Sequence, residues 1–127
     1  MLSQTRADEL VRHWDDGWNG EDVATIMAPF AEDVRFSSPF VSRLTGDPHR
    51  TTIEGRAALQ AYVEGALKRT PGIRYTVRDT FYGTDTLVLV YSCALPDGRS
   101  KEGADFMRVD AHGQIVDWRC HYTLAGL

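Results

Sequence analysis

Three features of this sequence predict an α+β fold. Helical periodicity is confined to the first half, strand-like alternation fills the second, and turns carrying Gly or Asp separate the strand-like runs. Helices gathered ahead of a mostly antiparallel sheet pack on one of its faces. If that sheet is strongly curved and closed by the helices on its concave side, it encloses a conical cavity.

The first helix starts at Ser3 or Thr5, either of which can cap it, and runs to about Asn19. Asp8 and Glu9 are placed for its first turn, where carboxylates oppose the helix dipole. Leu10, Val11, Trp14 and Trp18 form its apolar face, and Asn19-Gly20 ends it. A short second helix turns Val23, Ile26, Met27 and Phe30 inward, with Pro29 limiting its last turn. Val34-Arg35-Phe36 reads as a short strand leading into Ser37-Ser38-Pro39-Phe40. The polar segment from Ser42 to Thr52 is the longest loop, a position where lids are often found. A third helix spans about Arg56 to Arg69, with Leu59, Tyr62, Val63, Ala66 and Leu67 on its buried face, and Pro71-Gly72 stops it.

The remaining chain is strand-rich. Ile73, Tyr75 and Val77 alternate with Arg74, Thr76 and Arg78, the period of a half-buried strand. Thr86 to Leu95 is more uniformly apolar and reads as a central strand, entered through Gly83-Thr84-Asp85. Asp97-Gly98 marks the next turn. Asp105 to Val109 and Ile115 to Tyr122 then form a closing hairpin around Asp110-Ala111-His112-Gly113. In its second strand Val116, Trp118, Cys120 and Tyr122 share one face.

With 127 residues, 43% hydrophobic and 25% charged, the sequence is expected to form one domain over residues 1–127. A chain of this size buries roughly two-thirds of its unfolded surface without disulfides or metal. The net charge of -4, with acids and bases interspersed, lacks the clustered Lys and Arg of a nucleic-acid footprint. Cys93 and Cys120 lie inside apolar runs and outside any Cys-x-x-Cys spacing, as reduced buried thiols of a cytoplasmic protein do. The N-terminus has no charged-then-apolar signal pattern, and no run approaches the ~20 apolar residues that span a bilayer. No membrane or nucleic-acid partner is therefore expected. The scattered His13, His49, His112 and His121 lack metal-ligand spacing, and neither a phosphate-binding glycine loop nor a Ser-His-Asp pattern is recognisable. The expected chemistry uses no cofactor.

A strand with one buried face makes Asp105 the residue that needs explaining. It either reaches solvent, pairs with Arg108 or Arg119, or shares a pocket face with Met107 and Val109, where burial would raise its pKa and suit it to proton transfer. Trp14, Trp18, Tyr62, Trp118 and Tyr122 are either plain core or the walls of a site for a flat, apolar or aromatic ligand. Met107 and Cys120 fall on the same inner face. Cys120 would need a base or cation to become a nucleophile, and His121 lies on the opposite face of its strand. Ser38 either donates to a ligand or caps the turn before Pro39. Arg119 and His121 point to the outer sheet surface, where a second copy would pack. His49 could reach over the pocket mouth from its loop.

Several segments in order, Trp18-Asn19-Gly20-Glu21-Asp22-Val23, Phe30-Ala31-Glu32-Asp33-Val34-Arg35-Phe36 and Gly55-Arg56-Ala57-Ala58-Leu59, resemble the nuclear transport factor 2-like superfamily. So does Asp105-Phe106-Met107-Arg108 with Gly113-Gln114-Ile115 and Trp118-Arg119, and the SnoaL-like and ketosteroid isomerase-like branches are nearest in pattern. The resemblance implies a cone-shaped α+β barrel, a curved sheet wrapped around three helices with a single deep apolar pocket, usually as a homodimer through the sheet's outer face. Asp105 matches the pocket acid that hydrogen-bonds the substrate oxyanion in the isomerases and serves as general acid/base in epoxide hydrolase-like members. The chain departs from those patterns at three places. Ser38 stands where the isomerases carry a general-base Asp, and a serine hydroxyl cannot take a carbon acid's proton unaided. Trp14 stands for their oxyanion Tyr, and Cys120 for the hydrolases' second acid. The expectation is a small enzyme acting on an apolar, oxygen-bearing molecule through Asp105, with Ser38 and Trp14 orienting the substrate. Isomerisation or cyclisation comes first, then hydrolytic ring opening, then dehydration; the alternative is a ligand-binding or dimerisation module without chemistry.

Overall fold

The computed structural model describes residues 1–124; the last three residues of the expected 1–127 domain lie outside the described residues. Helix α1 (Gln4–Asn19) is capped by Ser3, whose Oγ accepts the Arg6 N–H at 3.1 Å. Asp8 and Glu9 fall beyond the first turn, where Gln4 and Arg6 engage them. At the other end, the Asn19 side chain accepts from the Tyr75 N–H at 2.7 Å and donates to the Tyr75 carbonyl at 3.0 Å. The helix end is thereby stitched to the sheet as an extra strand residue would be.

Helix α2 (Val23–Met27) is shorter than its apolar pattern suggests. Pro29 has no N–H to continue the helical ladder, so Phe30 opens strand β1 (Phe30–Ser37) instead of closing the helix. That strand exceeds the expected Val34–Phe36 core because it pairs in parallel with the final strand, Phe30 against Ile115 and Phe36 against Trp118. Part of the expected long loop is also structured. Val41–Thr45 forms a short helix, α3, ended by Gly46 in the left-handed conformation (φ 78°), and Thr52–Glu54 forms strand β2 beside β1. Helix α4 (Arg56–Arg69) follows as expected.

Strands β3 (Arg74–Tyr82), β4 (Thr86–Ala94), β5 (Ser100–Val109) and β6 (Ile115–Tyr122) then run antiparallel to one another. The six-stranded sheet has the order β2-β1-β6-β5-β4-β3. It is an open, curved, mixed sheet, antiparallel except between β1 and β6. Strand β4 lies second from the edge. Its burial alternates, with Leu87, Leu89, Tyr91 and Cys93 inside, and the half-buried Val88 and Val90 outside make the run look uniformly apolar. In β6 the pairing passes from Arg108 opposite Asp117 to Val109 opposite Ile115, which skips Val116. This bulge turns Ile115 inward with Trp118 and leaves Val116 half-buried, out of the phase expected for it.

The core lies between α1, α2 and α4 and the inner face of the sheet, around Leu10, Val34, Phe36, Leu59, Val63, Leu87, Leu89 and Trp118. Gly17 allows α1 and α2 to approach closely, since a Cβ there would stand 2.7 Å from Ile26 Cγ1 and 2.9 Å from its backbone nitrogen. Among the described residues, no helix is long and apolar enough to cross a membrane.

Candidate active site

Strand β5 does not begin at Asp105. Its pairing with β4 extends back to Ser100 opposite Ala94, which places Asp105 mid-strand, flanked by Leu89 on one side and Cys120 on the other. Gly103, Asp105, Met107 and Val109 all turn inward. Asp105 is 1% exposed, so it does not reach solvent. Nor does it pair with an arginine. Arg108 is exposed, while Arg119 binds Asp117 at 2.8 Å and lies over the Phe106 ring.

Two indoles from distant parts of the chain meet this carboxyl. Trp14 of α1 and Trp118 of β6 each donate Nε1–H to Asp105 Oδ2, at 2.9 and 3.1 Å. Oδ1 is buried without a hydrogen bond. Such an orphan is uncommon in folded proteins and costs free energy unless a proton or ligand satisfies it. Burial pushes the Asp105 pKa above that of an ordinary aspartate, opposed by the Trp14 indole and more weakly by the Cys120 thiol and Trp118. The same burial, reinforced by Asp105, pushes the Cys120 thiol well up, so Cys120 is a neutral neighbour and no thiolate. Because its N–H is committed to Asp105, Trp14 orients the acid and offers a ligand only its ring.

Asp105 borders a cavity of about 260 Å³, at the small end for ligand sites. Of the residues singled out in the sequence, Trp14, Trp18, Tyr62, Asp105, Trp118, Cys120 and Tyr122 line it. Met107 does not; it sits two register steps beyond Asp105, opposite Trp118, packed into the core. Ser38 is buried off the wall, its Oγ accepting the Phe40 N–H at 3.2 Å as a turn cap, with the Tyr62 hydroxyl close by. His49 lies exposed in its loop and is not part of the wall.

Sequence reasoning missed several wall residues. Tyr91 lies tilted 4.8 Å from Trp14, and Tyr75 stands 5.5 Å from Trp14 and 5.9 Å from Trp18. Both are inward residues of β4 and β3, so strand phase was the available signal. Tyr91 also depends on Gly103, where a Cβ would stand 2.5 Å from the Tyr91 hydroxyl. The glycine thus makes room for a tyrosine two register pairs from Asp105. Burial pushes the Tyr62 hydroxyl up to about 12, and Tyr75, Tyr91 and Tyr122 higher still. The wall hydroxyls and thiols therefore stay neutral near pH 7, and among the described residues Asp105 is the only carboxyl lining the cavity. Among the described residues, no cluster of three or more His, Cys, Asp or Glu could hold a metal ion.

The mouth has a different character. Phe40, Arg43 and Leu44 from the α3 region, Arg69 and Thr70 from the end of α4, and Lys101 of β5 surround it. The Arg43 guanidinium and the Lys101 ammonium each lie 5.2 Å from the Phe40 ring centre.

The profile of the SnoaL-like domain family matches residues 11–118. Among curated proteins, no sequence match was found. A SnoaL-like protein of unknown function from Burkholderia thailandensis E264 is 23% identical, with 97% of this chain and 99% of that chain covered and a TM-score of 0.81. A nuclear transport factor 2-like protein of unknown function from Mesorhizobium loti is also 23% identical, covering 97% and 95% of the two chains with a TM-score of 0.75. A protein from Kribbella flavida DSM 17836, provisionally called a ketosteroid isomerase, shares 23% identity over 93% of this chain and 78% of that chain, with a TM-score of 0.71. At these identities the likeness establishes the fold.

Proposed function

This chain belongs to the SnoaL-like domain family, and on that premise we propose that it is a small, cofactor-independent enzyme whose Asp105 moves protons on an apolar, oxygen-bearing substrate. One observation carries the reading: a fully buried carboxyl bordering an aromatic cavity, with Oδ2 fixed by two indoles and Oδ1 unpartnered. Oδ1 is the atom left to meet a ligand.

The chemistry follows from having one acid and no second base on the wall. Ionised Asp105 takes a proton from a carbon beside a carbonyl, and the C–H electron pair moves onto the carbonyl oxygen as an enolate. The new Oδ1–H then returns that proton. Delivered to the far carbon of a conjugated enolate, it completes an isomerisation. Delivered to the alkoxide formed when the enolate carbon attacks a second carbonyl of the same molecule, it completes a cyclisation. Either route restores the carboxylate. A raised pKa makes Asp105 a stronger base once ionised. The two indole N–H groups keep the charge on Oδ2 tolerable in a dry site. Hydrolytic ring opening ranks lower, because activating water while protonating a leaving oxygen usually takes two titrating groups, and Cys120 and the wall tyrosines stay neutral.

The same lack of a second base favours the alternative, a module that binds a flat ligand without turning it over. Enone, lactone and epoxide substrates screened against wild type and Asp105→Asn separate the two. Turnover that Asp105→Asn abolishes supports the enzyme; turnover that survives it takes Asp105 out of the chemistry, and no turnover with any substrate the cavity binds supports the module. We also propose a homodimer through the outer sheet face, where the 57%-exposed Phe81 pairs with Val88 beside Phe106.

A further inference from the structure

We propose that the ligand is an organic anion, a flat apolar body whose carboxylate is held at the mouth by Lys101 and Arg69 while its opposite end meets Asp105. This rests on the cavity being a ligand site, as proposed above, and adds the substrate's charge and length. Lys101, Gly103 and Asp105 are successive inward residues of β5. At about 3.4 Å per residue, the α-carbons of Lys101 and Asp105 are about 14 Å apart. The half-buried lysine stem turns its ammonium toward the Phe40 ring, so the strand sets a cation at one end of the cavity and an acid at the other.

Charge is segregated along this axis. Among the described residues Asp105, at the inner end, is the only carboxyl on the wall, while Arg43, Arg69 and Lys101 all border the cavity. Among the described residues, no carboxylate pairs with Lys101 or Arg69, whereas Arg6, Arg99 and Arg119 each hold one. Between the ends the wall is aromatic or aliphatic apart from neutral hydroxyls and thiols. A neutral ligand would leave Lys101 and Arg69 without a carboxylate partner. A dianion with a charge at each end would set one charge against Asp105. A monoanion with a neutral oxygen at its far end satisfies both.

The test uses 2-naphthoate and its methyl ester, read by quenching of the wall tryptophans at pH 7.5 and low salt. The acid is expected to bind wild type about tenfold or more tightly than the ester, with a preference that falls as salt is added. Lys101→Met and Arg69→Met should each erase much of that preference while leaving ester affinity and melting temperature unchanged. Equal binding of acid and ester, or a preference that survives both substitutions together, overturns the mouth assignment and leaves the cavity reading intact. Binding of neither probe overturns both.

Discussion

The inner end of the cavity and its mouth are built on opposite principles. The inner end is assembled from residues far apart in sequence, Trp14, Asp105 and Trp118, locked by buried hydrogen bonds to a single carboxyl oxygen. The mouth is assembled from a five-residue helix, a helix end and the start of a strand, and its cations are largely exposed. A change at the inner end alters stability and proton affinity together, since the groups cannot be moved without leaving a buried polar atom unpaired. A change at the mouth, on the proposed reading, alters which ligand is admitted and is expected to cost little stability. On the proposed assignment, chemistry and selection are thus separable in this fold.

The strongest way to break that separation is Asp105→Asn. The amide keeps the acceptor for both indoles and cannot carry the proton, so turnover is expected to fall by a factor on the order of 10²–10⁴ with the fold retained. Stability should respond with a definite sign. Because the folded pKa of Asp105 is raised, the native state holds a proton that the unfolded chain releases as pH rises above an ordinary aspartate value. The wild type is therefore most favoured by this group in acid and loses that contribution as pH climbs towards the raised value. Urea denaturation should show Asp105→Asn gaining on wild type as pH rises from about 4, the ordinary aspartate range, towards the raised value. A parallel pair of stability curves would contradict this.

Gly103→Ala tests the wall near that end. Its Cβ would meet the Tyr91 hydroxyl at 2.5 Å and the His121 carbonyl oxygen at 3.1 Å, and overpacking of this kind costs about 1–3 kcal/mol. Chemical denaturation should show that loss, with weaker ligand binding as Tyr91 is displaced. Trp14→Phe is subtler. It removes one donor that favours the ionised acid, so the rising limb of kcat/KM against pH, set by ionisation of the base, should move to higher pH. A limb that stays in place would show that the indole only fills space. The smallest stability effect belongs to the mouth: Lys101→Met should shift unfolding by no more than about 0.5 kcal/mol.

The two ends also differed in how well the sequence announced them. Strand phase put Trp118, Cys120 and Tyr122 on one face and offered Asp105 as a pocket acid, because a carboxyl among alternating apolar residues stands out. It did not show that Trp14 spends its N–H on Asp105, since that contact joins residues 91 positions apart. The mouth was nearly invisible. Val41 and Leu44, three apart and followed by Gly46, are the only trace of α3 in a segment that otherwise reads as polar loop. Lys101 became a site residue only because β5 starts at Ser100, and its early residues carry little apolar pattern of their own. Met107 and Ser38 show the converse limit. Both share the expected neighbourhood, yet register and a turn hydrogen bond keep them off the wall.

The proposed role of the cavity depends on the protonation of one buried carboxyl, and the most direct measurement is its titration by carboxyl 13C NMR in aspartate-labelled protein, with Asp105→Asn to assign the signal. The Asp105 resonance should titrate well above the ~3.9 of a free aspartate, and higher again in Trp14→Phe. A midpoint at or below the ordinary value would mean an acid held ionised by its indoles, and would contradict the role assigned to it.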